Sequence, residues 1–140
     1  VMLPWDRVTS VQFNAELTEL RRTILESGHT RLPVCEEERV VGVLHAKEFL
    51  AYLESGAKDW HTIIRPPLRI DDNDSLLATL QRMQTNRYHM SFVYAGDGTL
   101  LGILTIEDIL EEVVGDIYDE DDDDFVRKLL ASRVELRSRR

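Results

Sequence analysis

Thr105 and Asp108 carry the side chains of this sequence best placed for chemistry. Thr105 closes an apolar run, Leu100-Leu101-Gly102-Ile103-Leu104, and Asp108 follows three residues later, in the first turn of a segment that reads as a helix over Ile106–Val114. A hydroxyl and unpaired backbone N–H groups at a helix N-terminus suit a phosphate, helped by the helix dipole. A carboxylate in that first turn can accept two hydrogen bonds from the 2′- and 3′-hydroxyls of a ribose. On residue types alone a plain cap accounts for the pair somewhat better, with Thr105 as N-cap and Glu107 and Asp108 as favourable first-turn acids.

The elements that position this pair occur twice. Arg31-Leu32-Pro33-Val34, a polar turn and Val40-Val41-Gly42-Val43-Leu44-His45-Ala46-Lys47-Glu48 are matched by His89-Met90-Ser91-Phe92-Val93, a turn and Leu100-Leu101-Gly102-Ile103-Leu104-Thr105-Ile106-Glu107-Asp108. Aligned on Arg31/His89 and Gly42/Gly102, the second copy carries its extra residues in the turn Gly96-Asp97-Gly98. A repeat of this size is one supersecondary unit that cannot bury its apolar face alone, so two copies imply a pseudo-symmetric pair with a cleft between equivalent strand-to-helix turns. In the first copy His45 and Glu48 replace Thr105 and Asp108. The hydroxyl is lost and the carboxylate sits one methylene further out, so the first copy lacks the pair that could serve a ligand in the second.

Each copy reads as strand, helix, strand, turn, strand, helix. Val8 and Val11 are extended, and Asn14 caps a helix Ala15–Ser27 closed by Gly28, with Leu17, Leu20, Ile24 and Leu25 as its stripe. Leu32–Cys35 and Val40–Leu44 are buried strands, and Ala46–Glu54 is a helix. In the second copy Leu68–Ile70 is extended, and Asp74 or Ser75 caps a helix carrying Leu76, Leu77, Leu80 and Met83. Ser91–Tyr94 and Thr99–Leu104 are strands, and the closing helix ends at Gly115. The expected division is a first repeat with an N-terminal extension over 1–55, a linker over 56–67, a second repeat over 68–118 and a charged tail over 119–140. The fold class is α/β (α+β), two βαββα repeats packed through their sheets.

A net charge of −9 argues against nucleic acid, whose phosphates demand a basic face. No apolar run approaches the roughly 18 residues that span a bilayer. The chain starts at Val1, which suggests a piece of something longer. Cys35 is alone, forms no internal disulfide and reads as a small apolar filler in a reducing compartment. The acidic run Asp119–Asp124 reads as a solvated segment rather than a cation site. An activated nucleophile, a P-loop and a Cys/His metal spacing are all missing from the sequence, which weighs against an enzyme.

The double βαββα grammar, with Gly102–Asp108 as Gly-hydrophobic-hydrophobic-Thr-x-x-Asp, resembles a tandem pair of cystathionine-β-synthase (CBS) domains. Glu26–Val34, Gly42–Glu48, Arg87-Tyr88-His89-Met90 and Leu104–Glu120 are similar to the CorC/hemolysin-C-like group, relatives of the cyclin-M magnesium transporters. The resemblance covers roughly residues 1–124. It implies a regulatory module on the cytoplasmic side of the inner membrane that binds an adenosine nucleotide (ATP or AMP), with Mg²⁺ as a companion of the phosphates. It also implies a homodimer, and attachment to a transmembrane domain of a magnesium or cobalt efflux protein. A ligand-free dimerisation scaffold of the same parent is the competing expectation.

The resemblance turns Thr105 and Asp108 from cap to ligand site. Arg31, Arg87 and His89 supply cations toward a polyphosphate, with ordinary ion pairing to the many Asp and Glu residues as the alternative. Val11, Ile70 and Ile103 are apolar strand residues between which adenine would lie. Met90 and Tyr88 face a choice between purine and core, and Thr30 and Ile106 complete the candidate set.

Overall fold

The computed structural model describes residues 1–117; the readings made for 119–140 lie outside them. In chain order the elements are β1 (Leu3–Pro4), β2 (Val11–Gln12), α1 (Leu17–Ser27), β3 (Arg31–Glu36), β4 (Arg39–His45) and α2 (Ala46–Ser55). A 3₁₀ turn over Trp60–Ile63 follows, then β5 (Arg69–Asp71), α3 (Leu76–Asn86), β6 (Met90–Tyr94), β7 (Leu100–Thr105) and α4 (Ile106–Ile117). They form two units: Thr9–Pro67, and Val1–Val8 together with the residues from Leu68 on.

In the Thr9–Pro67 unit the sheet order is β2-β3-β4, with β2 parallel and β4 antiparallel to β3. Its core joins Leu20 and Ile24 of α1, Leu32, Val34 and Leu44 of the strands, Phe49 and Tyr52 of α2, and Trp60. Each large apolar side chain removed from water contributes about 1.5–3 kcal/mol. The α1 stripe is narrower than its sequence suggests, since Leu25 is 60% exposed. The helix also begins two residues later than Asn14 and Ala15 imply. Ala15 is held in a turn by its amide bond to the Gln12 carbonyl, and its own carbonyl accepts from the Trp60 indole N–H at 3.3 Å. The stretch read as a linker is therefore integral to this unit: Trp60 is buried, and Arg65 pairs antiparallel with Val43 through two 2.9 Å backbone bonds.

In the other unit the sheet order is β1-β7-β6-β5. Its core is built from Leu68, Ile70, Leu76, Met83, Val93, Leu104 and Ile109, and includes Met2. Ser75 caps α3, its hydroxyl accepting from the Ala78 amide at 3.1 Å, and α4 runs through Gly115 to Ile117 instead of stopping there. The N-terminal residues thus belong with the last-made sheet: Leu3 stands opposite Ile103 and Pro4 opposite Gly102.

The two glycines shared by the repeats explain these edge contacts. A Cβ on Gly42 would meet the Ile64 side chain and the Arg65 carbonyl, and a Cβ on Gly102 would meet the Leu3 carbonyl and the Met2 sulfur. Only a bare Cα lets each edge segment approach so closely. Met2-Leu3-Pro4 therefore occupies in one unit the place that Ile64-Arg65-Pro66 occupies in the other.

Candidate functional site

Thr105 is the last residue of β7 and Asp108 sits in the first turn of α4, so strand end and helix start fix both. The two side chains cap each other. The Thr105 hydroxyl oxygen accepts from the Asp108 amide at 3.1 Å, and Asp108 Oδ2 accepts from the Thr105 amide at 3.1 Å. This reciprocal pair is a capping box with aspartate in the glutamate position. Capping and ligand binding are compatible. The hydroxyl accepts one bond and keeps its hydrogen to donate, while the carboxylate spends one oxygen and keeps the other. Both side chains are half-buried, so they are partly desolvated yet reachable.

In the Thr9–Pro67 unit the corresponding pair is engaged differently. His45 caps α2, its Nδ1 accepting from the Lys47 amide at 3.3 Å. Glu48 is held bidentately by Arg65, Nε to Oε1 at 3.0 Å and Nη2 to Oε2 at 2.6 Å. The Arg65 guanidinium, donating both hydrogen bonds and adding its charge, holds the Glu48 carboxyl below its usual range against a smaller opposing effect of burial. Both carboxylate oxygens at this position already accept from Arg65. Sequence reading passed over Arg65; the signal that marks it is the repetition of Met2-Leu3-Pro4 as Ile64-Arg65-Pro66.

The strand ladders correct one equivalence. Arg31 pairs with His45, and Met90 pairs with Thr105, so Met90, not His89, stands at the place of Arg31. His89 matches Thr30: their carbonyls accept the first amides of the two helices, from Ile106 at 3.1 Å and Ala46 at 2.9 Å. The second hairpin therefore carries one extra residue, not two.

Around Thr105 and Asp108 the structure gathers His89, exposed beside the start of α4, Met90, buried across the ladder from Thr105, and half-buried Ile106. Ile103 is buried in β7. Arg87 is exposed and closes α3 in the left-handed region at φ 60°, the place Gly28 takes after α1 at φ 68°. Ile70 is packed in the core of its unit, as Val11 is in the core of the other. Arg31 is half-buried and Thr30 exposed at the start of β3, both in the Thr9–Pro67 unit. Cys35 is buried there and is a free thiol, its pKa pushed up by that burial.

Two α/β units with matching hairpins, matching glycine approaches and matching helix caps define a tandem domain pair. The sequence model of the CBS domain matches residues 2–55 and again 57–115, and the chain belongs to the CBS family as a tandem pair of the CNNM/CorC type. It is 34% identical to the magnesium and cobalt efflux protein CorC of Pasteurella multocida over 130 residues, covering 90% of this chain and 43% of that protein. With CorC of Escherichia coli K12 it shares 34% over 136 residues, covering 92% and 47%. The chain thus spans less than half the length of these relatives. Among solved structures it is similar to the CBS domain of the bacterial CNNM/CorC family Mg²⁺ transporter in complex with ATP, at 30% identity and a TM-score of 0.74, covering 82% of this chain and 84% of that one. Its fold also matches a CBS-domain pair with bound AMP from Klebsiella pneumoniae, at 23% identity and a TM-score of 0.70, covering 82% and 95%. Among the described residues no helix is long and apolar enough to cross a membrane.

Proposed function

We propose that this module binds an adenosine nucleotide, ATP or AMP, at the N-terminus of α4 and reports occupancy to an attached Mg/Co transporter domain. The observation that carries the reading is the unspent capacity of Thr105 and Asp108: a hydroxyl hydrogen for a phosphate oxygen, and a carboxylate oxygen for the ribose hydroxyls. The related CNNM/CorC structure in complex with ATP supports it. Arg87 and His89 serve the phosphates, with Mg²⁺ as counter-ion of ATP, and Ile103, Ile106 and Met90 lie on the nucleoside side of the same strand-to-helix turn. The role is binding, not turnover. A ligand that prefers one arrangement of the module shifts its population toward that arrangement, and this is the quantity an attached domain can sense. The module works on the cytoplasmic face, joined to a transmembrane domain and paired with a second copy. Leu50 on α2 and Leu110 on α4 hold equivalent positions and are each 45% exposed, which favours pairing through these helices.

Calorimetric titration with ATP, ADP, AMP and adenosine, with and without Mg²⁺, tests the reading. Saturation near one nucleotide per chain, lost on Asp108→Ala, is the expected result. A dimer that releases no heat with any of the four would leave the dimerisation scaffold in its place.

A further inference from the structure

We infer that the residue at one edge-strand position, Arg65 in one repeat and Leu3 in the other, decides which repeat keeps its helix-start carboxylate available to a ligand. The inference rests on the nucleotide reading of Thr105 and Asp108 and explains why the two repeats differ. Arg65 pairs with Val43, five residues before Glu48; Leu3 pairs with Ile103, five residues before Asp108. Each edge residue presses its carbonyl onto the glycine preceding its partner, Gly42 or Gly102, so the two backbones are placed alike. From that place the guanidinium of Arg65 closes on both oxygens of Glu48. The leucine side chain carries no donor, and among the described residues the Asp108 carboxylate accepts from the Thr105 amide alone.

A bidentate guanidinium competes with hydroxyl donors for a carboxylate, because it supplies two charge-assisted bonds in one rigid fork. A ribose approaching Glu48 would have to displace it. Arg65 is thus an internal stand-in for ligand, and Leu3 marks the repeat that takes one from solution.

Transplanting the arginine tests this. Leu3 is partly exposed, so Leu3→Arg leaves the core of its unit intact; Leu3→Gln is a shorter polar control without charge. Affinity for ATP is expected to fall at least tenfold in Leu3→Arg and to stay within about threefold in Leu3→Gln. Carboxyl NMR titration reads the native ion pair without nucleotide: the Glu48 midpoint should move up in Arg65→Leu. Unchanged ATP affinity in a folded Leu3→Arg protein would overturn the inference. Absence of nucleotide binding by the parent chain would instead sink the proposed function, while the Glu48 midpoint still judged the arginine's role.

Discussion

Thr105 and Asp108 each accept the other's backbone amide hydrogen at 3.1 Å, so one pair of side chains both starts α4 and keeps hydrogen-bonding capacity for a ligand. The two duties separate by substitution. Asp108→Asn keeps an oxygen for the Thr105 amide but loses the charge and half the acceptor capacity. It should melt within a few degrees of the parent yet bind ATP roughly thirtyfold more weakly, about 2 kcal/mol. Asp108→Ala should lose the binding and a further ~1 kcal/mol of stability with the cap. Equal affinity in parent and Asp108→Asn, measured by calorimetry, would remove Asp108 from the site.

Gly102 and Gly42 make a matched pair of tests for the edge segments. Gly102→Ala drives a Cβ into the Leu3 carbonyl, which belongs to the backbone and cannot swing aside. The expected cost is roughly 1–3 kcal/mol, with β1 released from β7. Proteolysis should then nick the chain within residues 1–8 before any other point. Gly42→Ala should loosen the Ile64–Pro66 segment instead, and protection of residues 1–8 should be unchanged.

Thr79 is fully buried on α3, and its hydroxyl has no partner among the described residues. Replacing it with the isosteric apolar residue removes an uncompensated polar group without opening a cavity. Thr79→Val should therefore hold or raise the melting temperature. A drop of several degrees would mean that the hydroxyl has a partner in solution.

His61 links acidity to the fold of the Thr9–Pro67 unit. Its Nδ1 lies 2.8 Å from Asp59 Oδ1 and its Nε2 2.6 Å from the Phe13 carbonyl, and the ring stacks on Trp60. Both contacts are donated together only by the doubly protonated ring. Burial disfavours the charge, but the Phe13 carbonyl and the Asp59 carboxylate outweigh it and raise the His61 pKa. A raised histidine pKa stabilises the folded state fully below the unfolded value of about 6.5 and ceases to do so as pH climbs through the folded value. Stability should decline by less than about 1 kcal/mol between pH 6 and 8, because the ring is partly solvated. His61→Gln should flatten that decline, as followed by thermal melts across the range.

The hairpins and helices were legible because each is an apolar run bounded by turn residues, and Gly42 and Gly102 anchored the alignment. What escaped was non-local. Two residues such as Leu3 and Pro4 have no periodicity to betray a strand, and nothing nearby announces a partner at Ile103. Trp60 lies in a Gly- and Pro-containing stretch that imitates a linker, although its ring is core. Arg65 reads as one cation among many until Glu48 is found beside it. The Thr105–Asp108 pair was visible from type and spacing, but its reciprocal hydrogen bonds required coordinates.

The pairing of Leu3 with Ile103 also fixes an order of assembly. It joins residues roughly 100 positions apart, a closure whose entropy grows only slowly with length but whose search slows folding. Thr9–Pro67 lies wholly inside that closure and can finish as soon as Pro67 is synthesised. Met2 and Leu3, made before the whole of that unit, must wait until β7 exists. In chain topology the Thr9–Pro67 unit is therefore an insertion after β1 into the other unit, and Met2 and Leu3 must wait longest for their partners.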